Sequence, residues 1–273
     1  MKSTLVLLLI LVLGFSACAK KDYLVTIKTS YGEIKVILYD QTPKHKANFL
    51  KLAENGDYDS TVFHRIIRDF MIQGGDIYQK IENKGKEEYT IPAEFVDTLI
   101  HERGALAAAR NPDSMNPEKA SSGCQWYIVQ GRVFAAEELT TDVGRMNQYV
   151  MQYLRKPENS KLGQELSLIY QQQGEQAYVK KLLELRPVIE KEFNTSFAAD
   201  YSAEKLEKYT TVGGAPHLDG AYTVFGRVVE GMDVVDKIAA VQTANEAPLD
   251  KIYMTMKVES MSPSKLKKQY RNQ

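Results

Sequence analysis

Residues 63–76 read FHRIIRDFMIQGGD, and this stretch constrains the chain more than any other. A run rich in β-branched and aromatic residues, 62–67, and the shorter run Met71-Ile72-Gln73 are separated by Arg68-Asp69-Phe70 and stopped by Gly74-Gly75. Such runs bounded by turn residues read as a pair of strands. Arg65, Phe70, Met71 and Gln73 place a permanent cation, two large apolar side chains and an amide within one strand pair.

The rest of the chain supplies partners for that pair. Residues 23–28 and 33–39 alternate with period two around Thr29-Ser30-Tyr31-Gly32, the signature of an antiparallel hairpin. Thr42 and Pro43 stand as N-cap and first residue of a helix that carries Ala47, Phe49, Leu50 and Ala53 and stops at Gly56. Further strands are expected at 106–109, 125–129, 222–229 and 251–259, with a helix at 232–241. Many short strands with two helices predict a mainly β fold: a closed eight-stranded antiparallel β-barrel capped by two helices. The pattern breaks between about 132 and 212. There Met146, Tyr149, Val150, Tyr153 and Leu154, then Leu162, Leu166, Ile169 and Tyr170, then Tyr178, Leu182, Leu185 and Ile189 follow helical spacing. The expected organisation is a barrel from 23–131 and 213–260, an inserted α-helical subdomain at 132–212, and a polar C-terminal tail at 261–273. As a solubilising appendage or as a lid or docking arm, the insertion reads equally well.

The first residues are a different material. Lys2 precedes nine unbroken apolar residues, 5–13, too few to cross a bilayer as a helix, so 1–17 reads as a removed signal peptide. Ser16-Ala17-Cys18 resembles a bacterial lipobox, which makes Cys18 the lipidated first residue of the mature chain and 18–22 a tether; secretion with cleavage nearby is the alternative. The protein is then expected in the bacterial cell envelope, anchored to a membrane and facing the periplasm. Cys124 has no intrachain partner once Cys18 carries lipid, so no disulfide framework is expected. The four histidines share no zinc-like spacing, and neither metal nor cofactor is expected. With 35 basic against 35 acidic residues there is no electrostatic footprint for nucleic acid.

Three motifs in order carry a family resemblance: FHRIIRDFMIQGGD; then GALAAAR (104–110) followed by SSGCQWYIV (121–129); then PHLDGAYTVFGR (216–227) running into VVEGMDVV. Together they resemble the cyclophilins, the peptidyl-prolyl cis/trans isomerases. The implied substrates are proline-containing peptides and unfolded or newly exported proteins, met by a monomer. An X-Pro bond prefers trans by only about 0.5–1 kcal/mol, yet its rotation barrier is about 20 kcal/mol because amide resonance must be broken. A dry pocket gripping the ring, with a fixed donor for the twisted amide, lowers that barrier without nucleophile or proton transfer. By the family pattern Arg65 is that donor and Gln73 orients it. Phe70, Met71, Tyr127 and Leu218 line the proline pocket with Tyr222 at its edge, and Ala109, Arg110 and Gln125 meet the substrate backbone. The chain departs from the pattern at His217, Tyr222, Tyr127 and Arg110, where family members carry tryptophan, histidine, phenylalanine and asparagine. A binding module using the same groove without needing turnover is the competing reading; retention of Arg65 favours the enzyme.

Overall fold

Alternation of apolar residues sets the first hairpin. In this computed structural model, which describes residues 21–83 and 85–270, β1 (Asp22–Thr29) and β2 (Gly32–Leu38) pair antiparallel from Leu24↔Ile37 to Thr29↔Gly32. Val25, Ile27, Ile34 and Val36 are fully buried as a result. Six more barrel strands follow: β3 (Val62–Ile67), β4 (Met71–Gly74), β5 (Ala105–Ala108), β6 (Trp126–Val129), β7 (Val224–Glu230) and β8 (Ile252–Met261). They close in the order β1-β8-β3-β4-β6-β5-β7-β2, every pairing antiparallel. Closure leaves the barrel itself without an edge strand to recruit another chain. The signal peptide expected at 1–17 and the lipidation expected at Cys18 lie outside the described residues.

Strands β5 and β6 are buried at every position because both of their faces are covered. Leu106, Ala108, Trp126 and Ile128 point into the barrel core with Phe49, Tyr58 and Phe63; Ala105, Ala107, Tyr127 and Val129 face a second apolar cluster with Met71, Ala215 and Leu218. That second, outer cluster is where the candidate site lies.

Helix α1 (Pro43–Glu54) packs Phe49, Leu50, Leu52 and Ala53 against the core. It starts where the sequence placed it, with Thr42 as N-cap and Pro43 as its first residue, but Thr42 makes no side-chain cap. Glu94 does so instead, its carboxylate accepting from the backbone N–H of Lys44 (3.1 Å) and His45 (3.0 Å). An acidic group at the positive end of the helix satisfies two donors that have no intrahelical acceptor.

Between β6 and β7 come α2 (Ala136–Leu139), α3 (Val143–Tyr153), α4 (Ser160–Gln173), α5 (Glu175–Phe193) and α6 (Ala203–Thr211). Helices α3 to α5 share a core of their own, built on Met146, Val150, Leu166, Leu182, Ile189 and Phe197. Its neck is a pair of extended segments: Asp142 N–H donates to Phe197 O (2.8 Å) and Ala199 N–H to Thr140 O (2.9 Å). Where the chain leaves and re-enters the barrel, Arg132 and Gly214 exchange backbone hydrogen bonds. The approach needs glycine on both sides: a Cβ at Gly131 (φ +66°) would lie 2.4 Å from the Gly214 Cα. Helix α6, with Tyr209 fully buried, adds to the three amphipathic stretches read from the sequence.

The second capping helix, α7 (Met232–Ala239), buries Val234, Val235, Ile238 and Ala239 in the core. The polar tail expected at 261–273 is corrected by the structure. β8 runs to Met261, and α8 (Pro263–Tyr270) buries Leu266 and Tyr270 against Leu24 and Val229. Two apolar residues four apart were enough to dock a helix that is otherwise polar.

Candidate active site

A β-bulge aims the central cation. Phe63 pairs with Gly74 and Arg65 with Gln73, so His64 is the extra residue between two ladder positions. Side chains two apart on a regular strand share a face, which would turn Arg65 into the core beside Phe63. The bulge instead leaves Phe63 fully buried and sends Arg65, about 41% exposed, to the outer face. From there a single row crosses four strands: Arg65↔Gln73↔Tyr127↔Ala107.

Phe70 and Met71 reach that face by a different device. Phe70 is not in a strand but ends the β3–β4 turn, where Asp69 adopts φ +60° and Phe70 N–H donates to Ile67 O (3.2 Å). The turn thus supplies the break in alternation that two consecutive pocket residues require. Gln130 fixes it: its side-chain oxygen accepts from Asp69 N–H (2.7 Å), and its own N–H and that of Gly131 donate to Phe70 O.

Arg65, Phe70, Met71, Gln73, Ala109, Arg110, Gln125, Tyr127, Leu218 and Tyr222 are all brought to one cleft of about 750 Å³, and His217 joins them. Their polar partners fix the arrangement. Arg65 Nη1 donates to Gln73 Oε1 (3.5 Å), Gln73 Nε2 donates to Gln125 Oε1 (3.1 Å), and Arg65 Nε donates to Glu246 Oε2 (2.6 Å). Among the described residues Nη2 meets no acceptor, so this face of the guanidinium is available to a ligand. Phe70 and His217 are tilted against one another with ring centroids 5.2 Å apart, and Tyr127 and Tyr222 meet edge to face at 6.1 Å. Arg110 stacks over the Tyr222 ring (4.4 Å) while its Nε donates to Ala221 O (2.8 Å), so its side chain clamps the 221–222 segment. Ala109 N–H is already donated to Gln125 O (3.0 Å), and Ala109 O accepts from Ser122 N–H (2.7 Å).

Behind the cleft lies a buried polar network that the motifs did not announce. His101 Nδ1 is 3.0 Å from Asp219 Oδ1 and His101 Nε2 is 3.1 Å from Tyr127 Oη. Tyr209 of α6 donates to Asp219 (2.9 Å), and Lys205 lies 3.3 Å from the same carboxylate. Burial pushes the His101 imidazole below its usual range, beyond what Asp219 restores. Burial acts to raise Asp219, yet hydrogen bonds from the His101 ring and backbone and from Tyr209 outweigh it and hold the carboxyl below its ordinary value. The ring is therefore neutral at pH 7. A carboxylate can only accept, so Nδ1 carries the proton and Tyr127 donates its own to Nε2. His64 and His217 are also held down by burial, which leaves neither charged at neutral pH. The chemistry available is therefore one fixed cation, a pair of relayed amides and an aromatic, thioether-lined hollow. Three or more metal-ligating side chains do not cluster anywhere among the described residues. Cys124 is buried, and burial pushes its thiol up to about 11.

Glu246 had no signal of function in the sequence. It sits at the tip of the two-residue ladder Thr243–Ala244 with Ala247–Pro248, after Asn245, both tip residues having positive φ. Asn245 was a legible turn residue; that its neighbour would reach Arg65 was not.

The sequence matches the family model described as cyclophilin type peptidyl-prolyl cis-trans isomerase/CLD over residues 24–166 and 186–259. It is 34% identical over 238 residues to a Streptococcus pyogenes protein provisionally named a bifunctional phosphatase/peptidyl-prolyl cis-trans isomerase. That match takes in 84% of this chain but spans only 37% of the streptococcal protein's length. The peptidyl-prolyl cis-trans isomerase cypE of Dictyostelium discoideum is 27% identical, covering 84% of this chain and 92% of its own. In fold, a crystal structure of a Cryptosporidium parvum cyclophilin type isomerase superposes with TM-score 0.51 at 19% identity, covering 88% of this chain and 99% of that one. The chain belongs to the cyclophilin-type peptidyl-prolyl cis-trans isomerases.

Proposed function

We propose that this chain accelerates rotation about X-Pro bonds in extracytoplasmic client proteins, from a lipid anchor at Cys18 that holds it, as a monomer, on a membrane of the bacterial envelope. The observation that carries the catalytic part is the row Arg65↔Gln73↔Tyr127, with Arg65 lining the cleft and its guanidinium held through Nε by Glu246 and through Nη1 by Gln73. A proline ring seated among Phe70, Met71, Tyr127 and Leu218 is desolvated, while the substrate chain meets Arg110 and the Gln125 amide. As the bond twists, resonance is lost and the nitrogen lone pair localises. A guanidinium that is planar, always charged and already fixed can meet that lone pair with no reorganisation during the reaction. Ala109 has its N–H engaged within the protein, so main-chain pairing with the substrate at this edge falls to Arg110.

Arg65→Ala tests the assignment. The residue is exposed at its tip and outside the core, so the barrel should stay folded by circular dichroism. Loss of one preorganised donor, worth about 2.7–4 kcal/mol, should lower kcat/KM by about 10²–10³ on a proline tetrapeptide. Near-normal turnover would remove Arg65 from the chemistry. The anchor is tested separately: mass spectrometry of envelope protein should find lipid on Cys18 as the first residue, and Cys18→Ser should release the protein from membranes.

A further inference from the structure

The proline cleft is not the end of the groove. Phe70 and His217 also form one wall of a second cleft, about 910 Å³, whose other walls come from the helical insertion. On the barrel side it is lined by Ile67; on the insertion side by Phe134, Leu139 and Val143 near the neck and by Val179 of α5. Neither part of the molecule makes this cleft alone.

We propose that this second cleft is a subsite for the client chain itself, taking an apolar side chain of an extended segment whose proline occupies the first cleft. The inference rests on the proline-site reading above and adds a determinant of which clients are preferred. Continuity argues for this occupant: the Phe70–His217 pair, 5.2 Å between centroids, lines both hollows. An extended chain advances about 3.3 Å per residue, so a few residues beyond the proline carry it past that pair. The lining argues for the chemistry. Arg132, the cation in the wall, is stacked over the Phe134 ring (3.7 Å) and paired with Glu138, so it is committed and offers no anchor for an acidic client. The remaining charges, Arg68, Asp69 and Glu175, are exposed and of mixed sign at the rim. Selection therefore comes from the apolar walls, as it does in a hydrophobic specificity pocket.

The experiment compares a proline tetrapeptide with versions extended by four residues on the N-terminal or the C-terminal flank, each extension carrying either leucine or aspartate. With the wild-type protein, a leucine extension on one flank should lower KM about tenfold relative to the tetrapeptide, and aspartate on that flank should not. Two variants close the cleft: Val179→Glu charges its wall, and Gln176→Trp, at an exposed position of α5, fills it without touching a buried core. Both should abolish the gain and leave tetrapeptide kcat/KM unchanged. The same extended peptides, fluorescently labelled, report affinity by anisotropy independently of turnover. Tetrapeptide inactivity of the wild type would sink the isomerase reading, and leucine-dependent binding lost in Gln176→Trp would still uphold the subsite. Absence of a leucine gain on both flanks, or a gain that survives in folded Gln176→Trp, overturns the subsite.

Discussion

Replacing Tyr127 by phenylalanine removes one oxygen from the protein and leaves the ring that lines the cleft. In the wild type that oxygen is 3.1 Å from His101 Nε2, in a place where Tyr127 is 4% exposed and His101 is fully buried. Because Asp219 fixes the proton on Nδ1, Nε2 is an acceptor, and in the variant it loses its donor while the ring stays shut off from bulk solvent. A buried polar group left unsatisfied costs about 1–3 kcal/mol. For a chain of this size each kcal/mol is about 2–4 °C in Tm, so the loss should be about 2–12 °C. Urea titration at pH 7.5, followed by circular dichroism, should show a lower midpoint with the slope unchanged. The decisive arm is a double-mutant cycle with His101→Leu. If the hydroxyl matters only as a donor to His101, Tyr127→Phe should be close to neutral in that background, giving a coupling of at least about 0.5 kcal/mol. Equal destabilisation in both backgrounds would refute the reasoning, as would a single mutant indistinguishable from the wild type. Turnover of a tetrapeptide should stay within about threefold, since the pocket wall is intact.

Glu246→Gln should lower kcat about fivefold, the equivalent of ~1 kcal/mol, with KM unchanged and Tm within about 1 °C, because the pair it breaks is exposed on both sides; unchanged kcat would deny Glu246 a positioning role. Phe70→Ala should weaken both turnover and proline-peptide affinity, measured where circular dichroism shows a folded protein; unaltered affinity would take Phe70 out of the pocket. His45, His64, His101 and His217 are each held below the usual histidine range, by burial first of all. A base with a depressed folded pKa binds protons more readily when unfolded, so this contribution is whole above about pH 6.5 and is lost as pH falls below it. Urea midpoints that stay level from pH 7.5 to 5 would contradict this. Replacing 142–197, which the 140–199 neck brackets, with a short Gly-Ser linker should leave tetrapeptide activity within severalfold and lower catalysed refolding of a protein client more strongly. Equal loss on both substrates would mean that the insertion has no part in client choice.

The barrel was legible in the sequence where a strand has one wet face. Residues 33–39 alternate because one side of β2 meets the core, and the pattern could be read directly; in β1 Val25 and Ile27 face the same core, while α8 covers Leu24 on the other face. Strands β5 and β6 offered no alternation, being buried on both faces, and only their motifs placed them. The direction of Arg65 was not legible either: a bulge is one residue of register, and nothing in the composition of 62–67 distinguishes a bulged strand from a regular one. Nor was α8, whose docking depends on two side chains in a run of lysines and serines.

What the sequence withheld was above all the polar support of the site, because its members are far apart along the chain. Arg65 and Glu246 are separated by 181 positions and His101 and Asp219 by 118, and no local pattern links them. Their logic becomes visible only as a chain of requirements. A hydroxyl at position 127, where the family pattern has a bare ring, needs a buried acceptor, which His101 provides. A buried neutral histidine of defined tautomer needs a carboxylate on its other nitrogen, which Asp219 provides. That carboxylate, itself buried, needs further donors, and these arrive from Tyr209 and Lys205 on the last helix of the insertion. The substitution at the pocket and the presence of α6 are therefore one structural feature. Removing α6 would strand a charge behind the pocket wall, which is why the excision that tests client choice must stop at the neck and leave α6 in place.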